Sequence, residues 1–176
     1  MILVTDPRTL HVMQGQLKLS ETPDDVLVAL LGSCVAACMR DPILKIGGMN
    51  HFLLPGDDPS ANSNSARYGA RSMEELVNAL LRKGASRRNL EVWLYGGADV
   101  LRNSTKIGSA NAKFATEFVK TEGFRLRGGD LGGKCGRRMR FHPHSGAVEH
   151  SYIETAPDIR PISTPPDASS GQVELF

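Results

Sequence analysis

Apolar and polar positions change rhythm several times along the chain, and each change predicts an element. Positions 12–19 alternate loosely and predict a first strand, while 26–31 is continuously apolar, as in a strand buried on both faces. The runs 35–40 and 46–54 flank Asp41-Pro42, a turn signal, and so predict two strands paired as a hairpin. Positions 55–64, rich in proline, glycine, aspartate, serine and asparagine, predict a loop. The spacing then becomes helical. Met73, Leu76, Val77, Leu80 and Leu81 form one stripe, opened by the capping-box pattern Ser72-Met73-Glu74-Glu75 and ended before Gly84. A strand is predicted over 90–95, and a second helix over 107–122 with Ile107, Phe114, Phe118 and Val119 inward and Gly123 as terminator. Later strands fall at 124–126, 139–141 and 147–153. Strands outnumber helices and the helices arrive singly, which predicts a mixed α+β layered domain.

From Thr155 onward prolines sit among serines and threonines with few apolar residues to anchor them. That composition predicts a domain over 1–154 and a disordered tail over 155–176. The 176 residues suit one domain, and a chain of that size buries enough surface to need neither metal nor disulfide. A formal charge of +2 is too small to point to nucleic acid. Three cysteines, Cys34, Cys38 and Cys135, argue against a disulfide framework. The opening seven residues, with Asp6 and Pro7 and no positive region, do not read as a signal peptide. Apolar runs fall short of the roughly 20 residues that span a bilayer, so a cytoplasmic chain without membrane insertion is expected.

The chemistry gathers at Gly32-Ser33-Cys34-Val35, where a small flexible turn follows the buried run and presents a thiol at its rim. Free cysteine titrates near 8.5 and needs help to act as a nucleophile at neutral pH. His51 lies on the predicted partner strand of the hairpin, placed to take the thiol proton and later return one to a leaving group. Cys38 fits an ordinary core cysteine. Cys34, Cys38, His51 and Cys135 do not suit one zinc ion, because on a strand Cys34 and Cys38 would stand about 13 Å apart at roughly 3.3 Å per residue. Gly128-Gly129-Asp130-Leu131-Gly132-Gly133 lacks the lysine-serine of a phosphate loop, and its glycines read as permitting tight turns or a close backbone approach near the active site. The basic run Lys134, Arg137, Arg138 and Arg140 has no interleaved aromatics for stacking bases.

The segments 31–42 and 48–55, with Tyr95-Gly96-Gly97-Ala98, Ile107-Gly108 and Asn111, Asp130 to Arg138, and Phe141-His142-Pro143-His144-Ser145-Gly146, resemble the chemoreceptor glutamine deamidase family, CheD. The resemblance spans about residues 10–153 in order. It implies a three-layer α/β/β sandwich, Cys34 as nucleophile and His51 as general acid/base. The implied reaction hydrolyses receptor glutamines to glutamate and ammonia with no metal or organic cofactor. Backbone N–H groups of Cys34 and of the turn at Gly32 and Ser33 are the candidate oxyanion donors. The implied partners are methyl-accepting chemoreceptors as substrates and a CheC-type phosphatase. Some members carry a threonine shortly before the cysteine; here Val28 and Ala29 fill the positions, so a backbone carbonyl or another side chain must orient His51, or no third group is needed. A cysteine protease and a non-catalytic chemotaxis adaptor are the competing readings.

Overall fold

The computed structural model describes residues 7–55, 62–100 and 106–154. Among these, nine strands form two sheets: β1 (Arg8–His11), β2 (Leu17–Ser20), β3 (Asp25–Leu31), β4 (Val35–Asp41), β5 (Ile46–Phe52), β6 (Glu91–Gly96), β7 (Arg125–Leu131), β8 (Arg137–Phe141) and β9 (Val148–Tyr152). Two helices accompany them, α1 (Asn62–Arg82) and α2 (Ile107–Thr121). The central sheet runs β2-β5-β4-β6-β7 and the outer sheet β1-β3-β8-β9.

Two apolar layers hold these parts together. Met73, Leu76, Val77 and Leu80 of α1 and Ala115 and Val119 of α2 pack on Ala37, Met39 and Leu94 of the central sheet. On its opposite side, Ala36, Cys38, Met49 and Tyr95 meet Leu27, Ala29, Leu31, Met139 and Phe141 of the outer sheet. Alternate residues of β4 therefore enter opposite cores, as the two-residue period of a strand requires. The arrangement is the expected α/β/β sandwich, with the central sheet covered on both faces.

The β4–β5 hairpin is antiparallel, with Ala36 opposite His51 and Asp41 opposite Ile46. Its turn is fixed by Asp41, whose carboxylate accepts the backbone N–H groups of Ile43 (2.9 Å), Leu44 (3.2 Å) and Ser86 (2.9 Å). Those donors hold its pKa below the ordinary carboxylate range despite burial.

Several boundaries differ from the sequence reading. Of the single strand expected over 12–19, only 17–19 is strand, in β2; positions 12–16 form the turn that joins β1 in the other sheet to β2, and Gly15 there takes φ +83°. Helix α1 begins ten residues before Ser72, so the capping-box pattern lies mid-helix. There Ser72 accepts from Asn50 Nδ2 through its carbonyl at 3.2 Å and its hydroxyl at 3.3 Å. Tertiary contact, not capping, occupies that serine. Gly128 to Leu131 belong to β7, paired parallel with β6, and only Gly132 and Gly133 turn. Leu30 on β3 is exposed, so that strand is covered fully on one face only. The predicted tail, 155–176, lies outside the described residues, as does most of the 55–64 loop.

Candidate active site

Cys34 stands between β3 and β4, at the end of a loop pinned through its carbonyls. Gly97 N–H donates to Cys34 O at 2.8 Å and Ala98 N–H to Gly32 O at 3.0 Å. Asn111 Nδ2 donates to Ser33 O at 2.8 Å. The close approach from behind requires glycine at position 96, where φ is +107° and a Cβ would fall 2.2 Å from the Cys34 carbonyl oxygen. The loop sits on a second tier of polar support. Arg137, almost fully buried, donates to Gly96 O and Gly132 O and pairs with Asp130 at 2.8 Å.

His51 lies near the end of β5, with its side chain on the same face of the sheet as Ala36 and Met49, toward the outer sheet. Cys34 precedes Ala36 by two residues. The register thus makes Cys34 and His51 diagonal neighbours across the hairpin, a separation typically about 7–8 Å between backbones and within reach of side chains. The hairpin puts the two positions near each other, with no hydrogen bond between thiol and imidazole.

The orientation of the imidazole is settled by a main-chain atom. His51 Nδ1 lies 2.9 Å from the carbonyl oxygen of Val12. A carbonyl only accepts, so Nδ1 carries the hydrogen and Nε2 holds the lone pair. Nε2 is buried and has no hydrogen-bond partner. Val12 is itself held by its N–H, which donates to Val28 O at 2.9 Å. Position 28, which lacks a hydroxyl here, supports the histidine through its backbone. The turn after Val12 also grips the main chain of His51: Gly15 N–H donates to His51 O at 2.7 Å, and His51 N–H to Gln16 O at 3.1 Å.

Burial favours the neutral form of both members of the pair. Burial lowers the His51 pKa, partly opposed by the Val12 bond, and so favours the uncharged base. Burial raises the Cys34 thiol, while its own backbone N–H works in the opposite direction by favouring the thiolate. The thiol donates to Gln14 Oε1 at 3.5 Å.

Two residues escaped the sequence reading as parts of this site. Asn111, fully buried on α2, joins the two arms: while Nδ2 holds Ser33, Oδ1 accepts the N–H of Leu54 at 3.0 Å. A polar residue on the inward helical face was the available signal. Gln14 gave none. Cys38 is buried in the core between the sheets and Cys135 is exposed, so the three cysteines do not converge. Among the described residues no group of three or more His, Cys, Asp or Glu is placed to hold a metal ion, and no helix is long and apolar enough to cross a membrane.

Residues 53–151 match the family model described as CheD chemotactic sensory transduction. The chain is 55% identical over 166 residues to a probable chemoreceptor glutamine deamidase CheD of Jannaschia sp. (strain CCS1), covering 94% of this chain and 93% of that one. It is 44% identical over 180 residues to the probable chemoreceptor glutamine deamidase CheD of Acidiphilium cryptum (strain JF-5), with 96% and 94% coverage. Among solved structures, Neisseria meningitidis protein NMB0706 aligns over 72% of this chain and 64% of its own, with 10% identity and a TM-score of 0.47.

Proposed function

Since this chain belongs to the CheD family, we propose that it hydrolyses the side-chain amide of specific glutamines on bacterial chemoreceptors, giving glutamate and ammonia through a Cys34 thioester. The observation that carries the reading is the unpartnered Nε2 of His51, a buried base whose tautomer is fixed by the Val12 carbonyl.

In this mechanism His51 Nε2 takes the Cys34 proton and the thiolate attacks the glutamine amide carbon. The oxyanion is met by backbone N–H groups of Cys34 and of the Gly32-Ser33 loop, preorganised because the loop carbonyls are already engaged. The imidazolium then protonates the nitrogen, which leaves as ammonia because an amide anion is too poor a leaving group. Neutral again, His51 deprotonates water, hydroxide adds to the thioester, and collapse releases glutamate and returns the proton to the sulfur. Each step uses only protein groups and water. The receptor gains one negative charge per turnover. The proposed location is the cytoplasm, and a CheC-type phosphatase is the proposed regulatory partner on the strength of the family resemblance.

Incubation with a candidate receptor, followed by peptide mapping, tests the reading. Amide-to-acid mass gain at discrete glutamines is expected, and chain scission would mean a protease instead. Cys34→Ala should abolish turnover and Cys38→Ala should retain most of it. Equal loss in both removes Cys34 as sole nucleophile. His51→Ala should slow turnover by a factor on the order of 10² or more.

A further inference from the structure

The resting contacts of the pair are unexpected for a site ready to react. A thiol and an imidazole lone pair stand on neighbouring positions of one hairpin, yet the S–H is directed to the side-chain oxygen of Gln14 and Nε2 has no partner. The stronger base is left idle and the weaker acceptor is engaged. Gln14 is delivered to this place by a turn with little freedom. Gly15 and Gln16 are bonded to the backbone of His51, Val12 to Val28, and Met13 N–H donates to Gln16 Oε1 at 3.1 Å.

The group that Gln14 presents is a primary carboxamide, the same group as the substrate's. A receptor glutamine must bring its amide carbon to Cys34 Sγ, and the Gln14 carboxamide already stands against that sulfur. We propose that the Gln14 side chain is a built-in occupant of the glutamine subsite, holding the Cys34 thiol away from His51 until the receptor glutamine displaces it. The proposal rests on the reading of Cys34 as nucleophile. Displacement is cheap, because S–H is a weak donor and Gln14 is solvent-exposed, free to swing outward from a fixed turn. Once it leaves, the S–H turns to Nε2 of His51 and its proton can pass to that nitrogen. Substrate arrival and thiol activation then become one event, and the enzyme has little reactive thiolate when no glutamine is bound.

The test reads Cys34 directly. The full-length protein, Gln14→Ala and Gln14→Met, which keeps the length but removes the amide, are labelled with iodoacetamide and followed by peptide mapping, with exposed Cys135 as internal reference. Loss of one weak hydrogen bond should speed Cys34 labelling on the order of fivefold in both variants, with Cys135 unchanged. The KM for receptor should fall in parallel. Unchanged Cys34 labelling in Gln14→Ala overturns the proposal. So does wild-type labelling in Gln14→Met, which would show that bulk and not the amide covers the thiol, and so does faster labelling without a lower KM, which would show that no displacement occurs. Failure of the underlying reading looks different: Cys34→Ala would still deamidate receptor, whatever the labelling rates.

Discussion

Replacing Asn111 by alanine removes one side chain and breaks two joints of the site. Its amide nitrogen holds the Ser33 carbonyl at 2.8 Å and its oxygen accepts the Leu54 N–H at 3.0 Å, in a fully buried position. Alanine leaves a part-buried carbonyl and a part-buried N–H without those partners, each costing about 1–3 kcal/mol. Against this, alanine favours the helix by up to about 0.7 kcal/mol. A net loss of about 3 kcal/mol is expected. At about 2–4 °C per kcal/mol for a chain of this size, calorimetry should show the melting temperature falling on the order of 10 °C. The Ser33 and Leu54 segments carry or adjoin Cys34 and His51, so receptor deamidation measured well below the melting transition should fall mainly in kcat. Asn111→Asp keeps the acceptor for Leu54 but turns an oxygen toward the Ser33 carbonyl, and should recover only the Leu54 side. An alanine variant that melts within about 2 °C of the parent would refute the reasoning, since loss of both hydrogen bonds of a fully buried side chain could not be so small.

Stability should depend on pH in two separate windows. Burial depresses His51 below the unfolded value of about 6.5, so the unfolded chain takes up the proton first; its contribution is lost as pH falls below that value and levels off once the folded imidazole titrates. Urea midpoints should therefore decline from pH 7 to 5 in the parent and less in His51→Gln, and parallel curves would exclude His51 as the cause. Asp130 is held low first by Arg137, so its contribution persists above the unfolded carboxylate range of about 3.9 and is lost as pH falls through the folded value. A chain ending at Glu154, two residues past β9, should deamidate receptor at an unchanged rate and melt at a similar temperature. A large loss on both intact receptor and a short glutamine peptide would place the domain boundary elsewhere, whereas a higher KM on receptor alone would assign docking to 155–176.

Where an element repeats one period and ends on a distinctive turn, the sequence disclosed it. Asp41-Pro42 marked the hairpin, and the hairpin sets His51 opposite Ala36, two residues after Cys34. The stripe from Met73 to Leu80 marked the core side of α1, though not its first ten residues, whose polar composition carries no burial signal. The turn between β1 and β2 was hidden because the apolar positions Val12, Leu17 and Leu19 suggested one strand, while β1 and β2 on either side of it pair with different strands, β3 and β5. The glycines from Gly128 to Gly133 read as permitting tight turns or a close backbone approach; parallel pairing with β6 makes 128–131 a strand, in which Gly129 lies so close to β6 that a Cβ would fall 2.1 Å from Leu94 O. Asn111 and Gln14 act through contacts 78 and 20 residues away, and local pattern has no access to those distances.

The group that orients His51 is a peptide oxygen, and every amino acid supplies one. No side-chain scan at position 12 would delete it, and residue identity there can drift without touching the contact, provided the turn keeps its path. The functional group is thus encoded by chain trajectory and leaves no letter in the alphabet of twenty. Only altering the backbone atom itself, or bending the turn with a proline at Met13 whose N–H is needed by Gln16, would expose its role to experiment.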